Sequence, residues 1–230
     1  MDRSFTTLEE CPLNFQGCPV IDEVRRLGEA CKRLQELTQT DTLTGLFNLR
    51  YLLKALEGEM ERTRRTGLAT AFIMIDLDHF KRINDTYGHE SGNKALQWSG
   101  NILRQNIRRI DIPCRYGGEE FAIVLPATRL TQAVLTAERL RSALINTQVE
   151  LNGEKVKITA SFGVDAYRGR EDLSVQSFIR MADRFLLEAK ATGRNRVCYD
   201  RSRAGVVATE VTDKEREALL RAHGSGEQAE

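Results

Sequence analysis

Six residues have the types and placement to work on phosphate groups: Asp76, Glu119 and Glu120 as oxygen donors, and Lys81, Lys190 and Arg194 as cations. Asp76 closes a dense apolar run, LATAFIMID, which reads as a buried strand. A carboxylate at such a strand's end, where side chains meet solvent, is suited to holding Mg²⁺ together with substrate phosphates. The segment Arg115-Tyr116-Gly117-Gly118-Glu119-Glu120-Phe121 has the turn chemistry of a tight hairpin. Its adjacent glutamates repel, and a divalent cation would relieve that repulsion. Gly117 and Gly118 let backbone approach a phosphate closely. If the hairpin lies beside the Asp76 strand, Asp76 and Glu119 converge, and such acidic pairs support two-metal phosphoryl transfer. Lys81, Lys190 and Arg194 taken together would neutralise a triphosphate; taken singly, each reads equally well as a partner of a helix dipole. Asp78 reads as the N-cap of HFKRIN.

The elements that must position these groups follow from hydrophobic period and turn residues. The main domain begins near Asp41 in TDTLTGLFNLRYLLKALEGEMERTRR, where a Thr/Asp-rich turn leads into a helix. After the strand at 68–76 come a short helix with a polar turn, DHFKRINDTYGHESG, and a longer amphipathic helix, NKALQWSGNILRQNIRR. IPCRYGGEEFAIVLP is a hairpin, and residues 129–147 form a helix with Ala133, Ala137, Leu140 and Leu144 on its apolar face. A second hairpin turns at Asn152-Gly153; TASFGVDAY is a strand, SVQSFIRMADRFLLEAKATG a helix and NRVCYD a closing strand. Helices alternating with mostly central strands predict an α/β sandwich, an open sheet with helices on its faces.

Outside this block, residues 1–19 are irregular, and Val20, Val24, Leu27, Cys31 and Leu34 form a short heptad-like stripe. The stripe suits a second helix as a partner, or packing on its own domain. The expected division is 1–40 as an irregular segment and helical stalk, 41–200 as the main domain and 201–230 as a polar tail, frayed apart from a turn around KEREALLRAH. Lys plus Arg (34) nearly balances Asp plus Glu (33), which argues against a general binder of nucleic-acid polymers. No apolar run approaches the roughly 20 residues of a membrane helix, and the N-terminus lacks the apolar core of a secretory signal. The expected compartment is therefore the cytoplasm, with the five cysteines as thiols. Cys11 and Cys18, without a nearby His, make a thin case for a metal pair.

The segments DTLTGLFN (41–48), DLDHFKRINDTYGHESG (76–92), RYGGEEF (115–121), ASFGV (160–164) and AD…AKATGRNRV (182–197) resemble, in order and spacing, the GGDEF diguanylate cyclase family, with GGEEF as the hairpin variant. The resemblance covers residues 38–200. It implies a palm-like nucleotidyl-cyclase domain, an α+β fold with a central, mainly antiparallel sheet flanked by helices. It implies Asp76, Glu119 and the Leu77 carbonyl as ligands of Mg²⁺, two ions per active site. Glu119, Glu120 and Lys81 would act on the reacting groups, Glu120 supporting the metal site or the attacking 3′-hydroxyl. Lys81, Lys190 and Arg194 would bind phosphates, with Phe80, Gly117 and Gly118 against the nucleotide and Asn84 on its base. The implied reaction joins two GTP molecules, held by two copies of the chain, into cyclic di-GMP and two pyrophosphates.

Arg108 and Asp111 match the family's RxxD inhibitory motif for cyclic di-GMP, with Arg139 as a second arginine; the alternative is a surface ion pair. One position departs from the family pattern: GHxxG is followed by Asn93 where the family has Asp. Asparagine offers one acceptor and one donor where aspartate offers two acceptors, so it could face guanine's N1–H and O6 or equally well adenine's N6–H and N1, which blurs guanine selectivity. ATP at one half-site, giving a mixed product, is therefore an expectation to test, against Asn93 as a mere helix cap. A catalytically silent receptor for cyclic di-GMP is the remaining alternative, disfavoured by the intact Gly117-Gly118-Glu119-Glu120.

Overall fold

The computed structural model describes residues 23–29, 39–169 and 172–203. Cys11, Cys18, most of the stripe and the tail beyond Arg203 lie outside the described residues. The chain divides between Thr40 and Asp41 into two units. In the first, residues 23–29 are helical, with Val24 and Leu27 exposed.

The second unit is built on a six-stranded sheet. In chain order its elements are β1 (Phe47–Asn48), α1 (Leu49–Thr66), β2 (Thr70–Leu77), α2 (Phe80–Gln105), β3 (Ile112–Gly117), β4 (Glu120–Leu125), α3 (Leu130–Asn146), β5 (Val149–Leu151), β6 (Glu154–Val156), β7 (Ala160–Tyr167), α4 (Val175–Ala191) and β8 (Val197–Tyr199). The sheet order is β1-β3-β4-β2-β7-β8. The inner pairs β3–β4, β4–β2 and β2–β7 are antiparallel, and the outer strands β1 and β8 join in parallel. β5 and β6 form a separate two-stranded hairpin.

The period-2 alternation of β2 sorts its side chains onto two faces. Ile73, Ile75 and Leu77 join the core under α2 and α3, with Leu96, Leu103, Ala133, Leu140 and Leu144. Phe72 and Met74 point the other way, into a core with Leu52, Leu56 and Met60 of α1 and Phe178, Ala182 and Leu186 of α4. Burial on both faces explains why this strand reads as a continuous apolar run. At Gly163 of β7, α4 crosses so closely that a methyl would overlap the Ala182 carbonyl and the Leu186 amide.

Three local differences from the sequence reading have simple causes. The DTLTGLFN turn ends in the short β1, which pairs Phe47 with Cys114 and Asn48 with Arg115; a two-residue strand carries no periodic signal. Asn48 then caps α1, accepting from the Tyr51 amide at 3.0 Å. The polar turn expected through HESG is helix: α2 breaks at Gly88 alone (φ 83°, ψ 162°) and resumes at once. The β5–β6 hairpin braces that break, with Asn152 donating to the Tyr87 carbonyl (3.2 Å) and the Tyr87 hydroxyl donating to Glu154 (3.0 Å).

Candidate active site

Asp76 shares the parity of Phe72 and Met74, so its side chain leaves the end of β2 on the α1–α4 face. Glu120 lies directly opposite in the β2–β4 register, with the parity of Ala122 and Val124, and therefore on that same face. The Leu77 amide donates to the Glu119 carbonyl at 3.3 Å, which seats the Gly117-Gly118 turn against the strand end. Lys190, in the last turn of α4, brings its Nζ to 2.7 Å from Asp76 Oδ2. The strand end, the hairpin and the α4 lysine thus meet at one place, with Glu120 opposite Asp76.

The electrostatics are those of crowded carboxylates. Burial pushes the Asp76 carboxyl up; Lys190 pulls it down, and Glu119 and Asp78 push it further up. Glu120 is likewise raised, by burial first and then by Asp76, with Lys190 opposing and Asp183 and Glu119 adding. Asp183 of α4 is a fourth acidic group at this site that the sequence reading passed over. Its signal is the seven-residue spacing to Lys190, two helical turns, which puts both on one face of α4.

The hairpin is held by a contact that motif reading also missed. Arg115 Nε donates to the Gly118 carbonyl at 3.0 Å, and Arg115 Nη1 lies 3.2 Å from Asp41 Oδ2. Asp41 in turn accepts from the Thr44 amide (2.8 Å) and hydroxyl (2.7 Å). Burial raises the Asp41 carboxyl, but the Thr44 bonds and Arg115 outweigh it and hold it below the usual range. The DTLTG and RYGG motifs are therefore one structural clamp. Gly118 (φ 51°) takes the left-handed turn position, where a side chain is strained.

Lys81 is exposed on the first turn of α2, and Arg194 is exposed in the turn after α4. Phe80 is core, 7% exposed. Asn84 packs its carboxamide on Gly92 across the Gly88 break, where any Cβ would collide with it. That contact sets Asn84 beside the start of the second helical segment and thus beside Asn93. Asn93 is exposed inside that segment and has no hydrogen-bond partner among the described residues. A place inside the helix excludes the capping role.

Asp78 is not the cap of α2 either. The cap is His79, in the left-handed conformation (φ 57°) and without a side-chain bond. Asp78, 6% exposed, accepts from Thr159 Oγ1 (2.7 Å), Ser161 Oγ (2.7 Å) and the Asn195 amide (3.0 Å). Arg108 and Asp111 make no ion pair among the described residues. Instead Asp111 Oδ2 accepts the Arg108 amide at 2.8 Å, while Oδ1 is buried without a partner. Burial raises the Asp111 carboxyl against the pull of the Arg108 amide and the Arg108 and Arg139 charges. Arg139 donates from Nη2 to the Asn106 carbonyl at the end of α2 (2.9 Å).

These features define an α/β domain whose central antiparallel strand brings a carboxylate to a glycine-turn hairpin, with a lysine from a flanking helix. Residues 38–196 match the family described as "Diguanylate cyclase, GGDEF domain", and the chain belongs to that family. The response regulator PleD of Caulobacter vibrioides is 41% identical over 164 residues, 70% of this chain and 36% of PleD. The chain spans less than half the length of the curated relatives compared. The crystal structure of diguanylate cyclase SiaD from Pseudomonas aeruginosa, in complex with its activator SiaC, superposes with a TM-score of 0.68 at 35% identity, over 78% of this chain and 69% of that one. The coiled coil and GGDEF domain of DgcB from Caulobacter crescentus, in complex with c-di-GMP, gives 0.67 at 27% identity, over 78% and 95%. Among the described residues, no helix is long and apolar enough to cross a membrane.

Proposed function

We propose that this chain is a diguanylate cyclase, condensing two GTP into cyclic di-GMP and two pyrophosphates. The observation that carries the reading is the meeting of Asp76, Glu120 and Lys190 at the end of β2, beside the Gly117-Gly118 turn. Family membership and the names of the relatives support it. In this reading residues 41–200 are the cyclase domain, 1–40 a stalk and 201–230 a tail, acting in the cytoplasm.

Asp76, Glu119 and the Leu77 carbonyl are the oxygen donors for Mg²⁺, two ions per site when GTP is bound. The donor set fits: Mg²⁺ takes one or two carboxylates and completes its shell with phosphates and water. A divalent ion held there would supply charge neutralisation at the α-phosphate and would make the attacking hydroxyl more acidic. Lys81, Lys190 and Arg194 neutralise the triphosphate, and Lys190 exchanges Asp76 for phosphate as GTP enters. Glu120, raised by burial and by Asp76, is suited to take the 3′-hydroxyl proton. The new O–P bond then forms as the bond to the β-phosphate breaks, and pyrophosphate leaves with that electron pair. Phe80, Gly117 and Gly118 line the nucleotide, and Asn84 contacts its base.

One site holds one GTP, so turnover requires a homodimer. Pairing through the stalk would raise the effective concentration of the second half-site. Arg108, Asp111 and Arg139 are the inhibitory site for cyclic di-GMP; the intact RxxD spacing supports this reading.

A second reading concerns base choice. Asn93 is exposed, unpartnered and beside Asn84, which supports a role on the base, where its donor would admit adenine at one half-site. The experiment is product identification by mass spectrometry after incubation with Mg²⁺ and GTP, ATP or both. Cyclic di-GMP is the expected main product; no cyclic product, with cyclic di-GMP still bound, would make the chain a receptor. An Asn93→Asp variant with an unchanged GTP/ATP preference would remove Asn93 from base selection.

A further inference from the structure

The turn after α4 has an unusual backbone. Arg194 (φ 60°) and Asn195 (φ 44°) are consecutive left-handed residues after Gly193 (φ 119°). A left-handed residue with a side chain costs about 1–2 kcal/mol, least for Asn, so surrounding bonds must hold this shape. The Arg194 amide donates to the Ala189 carbonyl (2.9 Å), and the Arg194 carbonyl accepts from Arg196 Nε (3.1 Å). Both bonds are local. Among the described residues two side chains anchor it to the rest of the fold, beside the backbone bond from the Phe162 amide to the Arg196 carbonyl (2.9 Å): the Asn195 amide donates to Asp78 Oδ2 (3.0 Å), and Arg141 Nη1 of α3 donates to Asn195 Oδ1 (3.3 Å).

Asp78 is the stronger anchor. Its own amide donates to the Thr159 carbonyl (2.8 Å), so its position is set by β7 as well as β2. Its two oxygens accept three donors, and no cation pairs with it among the described residues. A buried carboxylate without a counter-ion is costly, and its bonds to N–H and O–H donors are correspondingly strong. It sits just past Asp76 on the same stretch of chain, so it sets how far the Arg194 turn stands from the carboxylates.

We infer that Asp78 is a positioning residue for Arg194: its carboxylate registers the 193–196 turn to the end of β2 and so presents the Arg194 guanidinium to the substrate phosphates. The inference rests on the reading of Arg194 as a phosphate-binding residue.

The test is a double-mutant cycle read by calorimetric binding of a non-hydrolysable GTP analogue with Mg²⁺, on the full chain. Asp78→Ala and Arg194→Ala should each weaken binding by about tenfold. The double variant should bind no more weakly than Arg194→Ala alone, because Asp78 acts through Arg194. Asp78→Asn, which keeps an oxygen for the Asn195 amide, should stay within about threefold of wild type. Losses that multiply in the double variant, or an Asn variant as weak as the Ala variant, would overturn the inference. If Asp78→Ala does not fold, Arg141→Ala takes its place in the cycle, since it removes the other anchor from a half-buried position. Amide hydrogen exchange gives a second readout: Asn195 should lose protection in Asp78→Ala while β2 and β7 keep theirs. Unchanged Asn195 protection would also overturn the inference. Because exchange needs no ligand, it decides the inference even if wild type fails to bind the analogue, a result that would instead overturn the reading of the site.

Discussion

Replacing Gly163 by alanine tests how α4 is seated, and through it how Lys190 reaches Asp76. The glycine has no unusual φ, so the substitution is a matter of space alone. A methyl there would overlap the Ala182 carbonyl and the Leu186 amide and stand 3.0 Å from Leu186 Cα. All three are backbone atoms inside a helix, so no side-chain rotation relieves the clash. The helix must move out by about 1 Å, lifting Phe178, Ala182 and Leu186 from Phe72 and Met74; overpacking of this kind costs about 3 kcal/mol, the upper end of its usual range. For a chain of this size that lowers Tm by about 6–12 °C. The same shift carries Lys190 away from Asp76, now 2.7 Å distant, and a misplacement of about 1 Å at a reacting centre can cost about a hundredfold in rate. Urea unfolding followed by circular dichroism, with a parallel product assay, reads both effects. Gly58→Ala is the control: it is exposed in α1 with nothing within 4 Å. That change should stabilise by about 0.5–1 kcal/mol. A Gly163→Ala protein within about 1 kcal/mol of wild type and fully active would refute the account of α4 packing.

Two further outcomes follow from buried carboxylates. Arg203 pairs with Asp165, which is 1% exposed, at 2.9 Å, and also donates to the Ala166 carbonyl at 3.1 Å. Arg203→Ala should cost about 2 kcal/mol in urea unfolding, below the full value for a buried pair because Arg203 is partly solvated; no change would mean that the turn at 201–203 is not coupled to the core. Asp111 is raised chiefly by burial, so the folded state holds its proton more tightly than the unfolded state. Its contribution to stability is full below the unfolded value and is lost as pH rises through the folded one. The stability of Asp111→Asn relative to wild type should therefore improve as pH rises above about 4, and a flat difference would contradict the burial argument.

Much of this protein is decided locally and is legible in the chain. The apolar run ending at Asp76, the Gly117-Gly118 hairpin, the apolar face Ala133-Ala137-Leu140-Leu144 and the Asn152-Gly153 turn all follow from period and turn chemistry, because burial and φ preference act over a few residues. Motif order was enough for the family. What the chain does not carry is pairing between distant segments. β1 exists only because Phe47 meets Cys114. Arg115 closes the hairpin only because Asp41 is folded beside it.

Asp78 reads as a cap of α2 for the same reason. A capping aspartate and a cross-strand acceptor look alike in sequence, and only the packing of β7 and the Arg194 turn against β2 supplies its three donors. Local conformational preference chose the elements. Tertiary packing chose the partners, because a hydrogen bond or ion pair depends on separation in space, which the sequence states only through the fold.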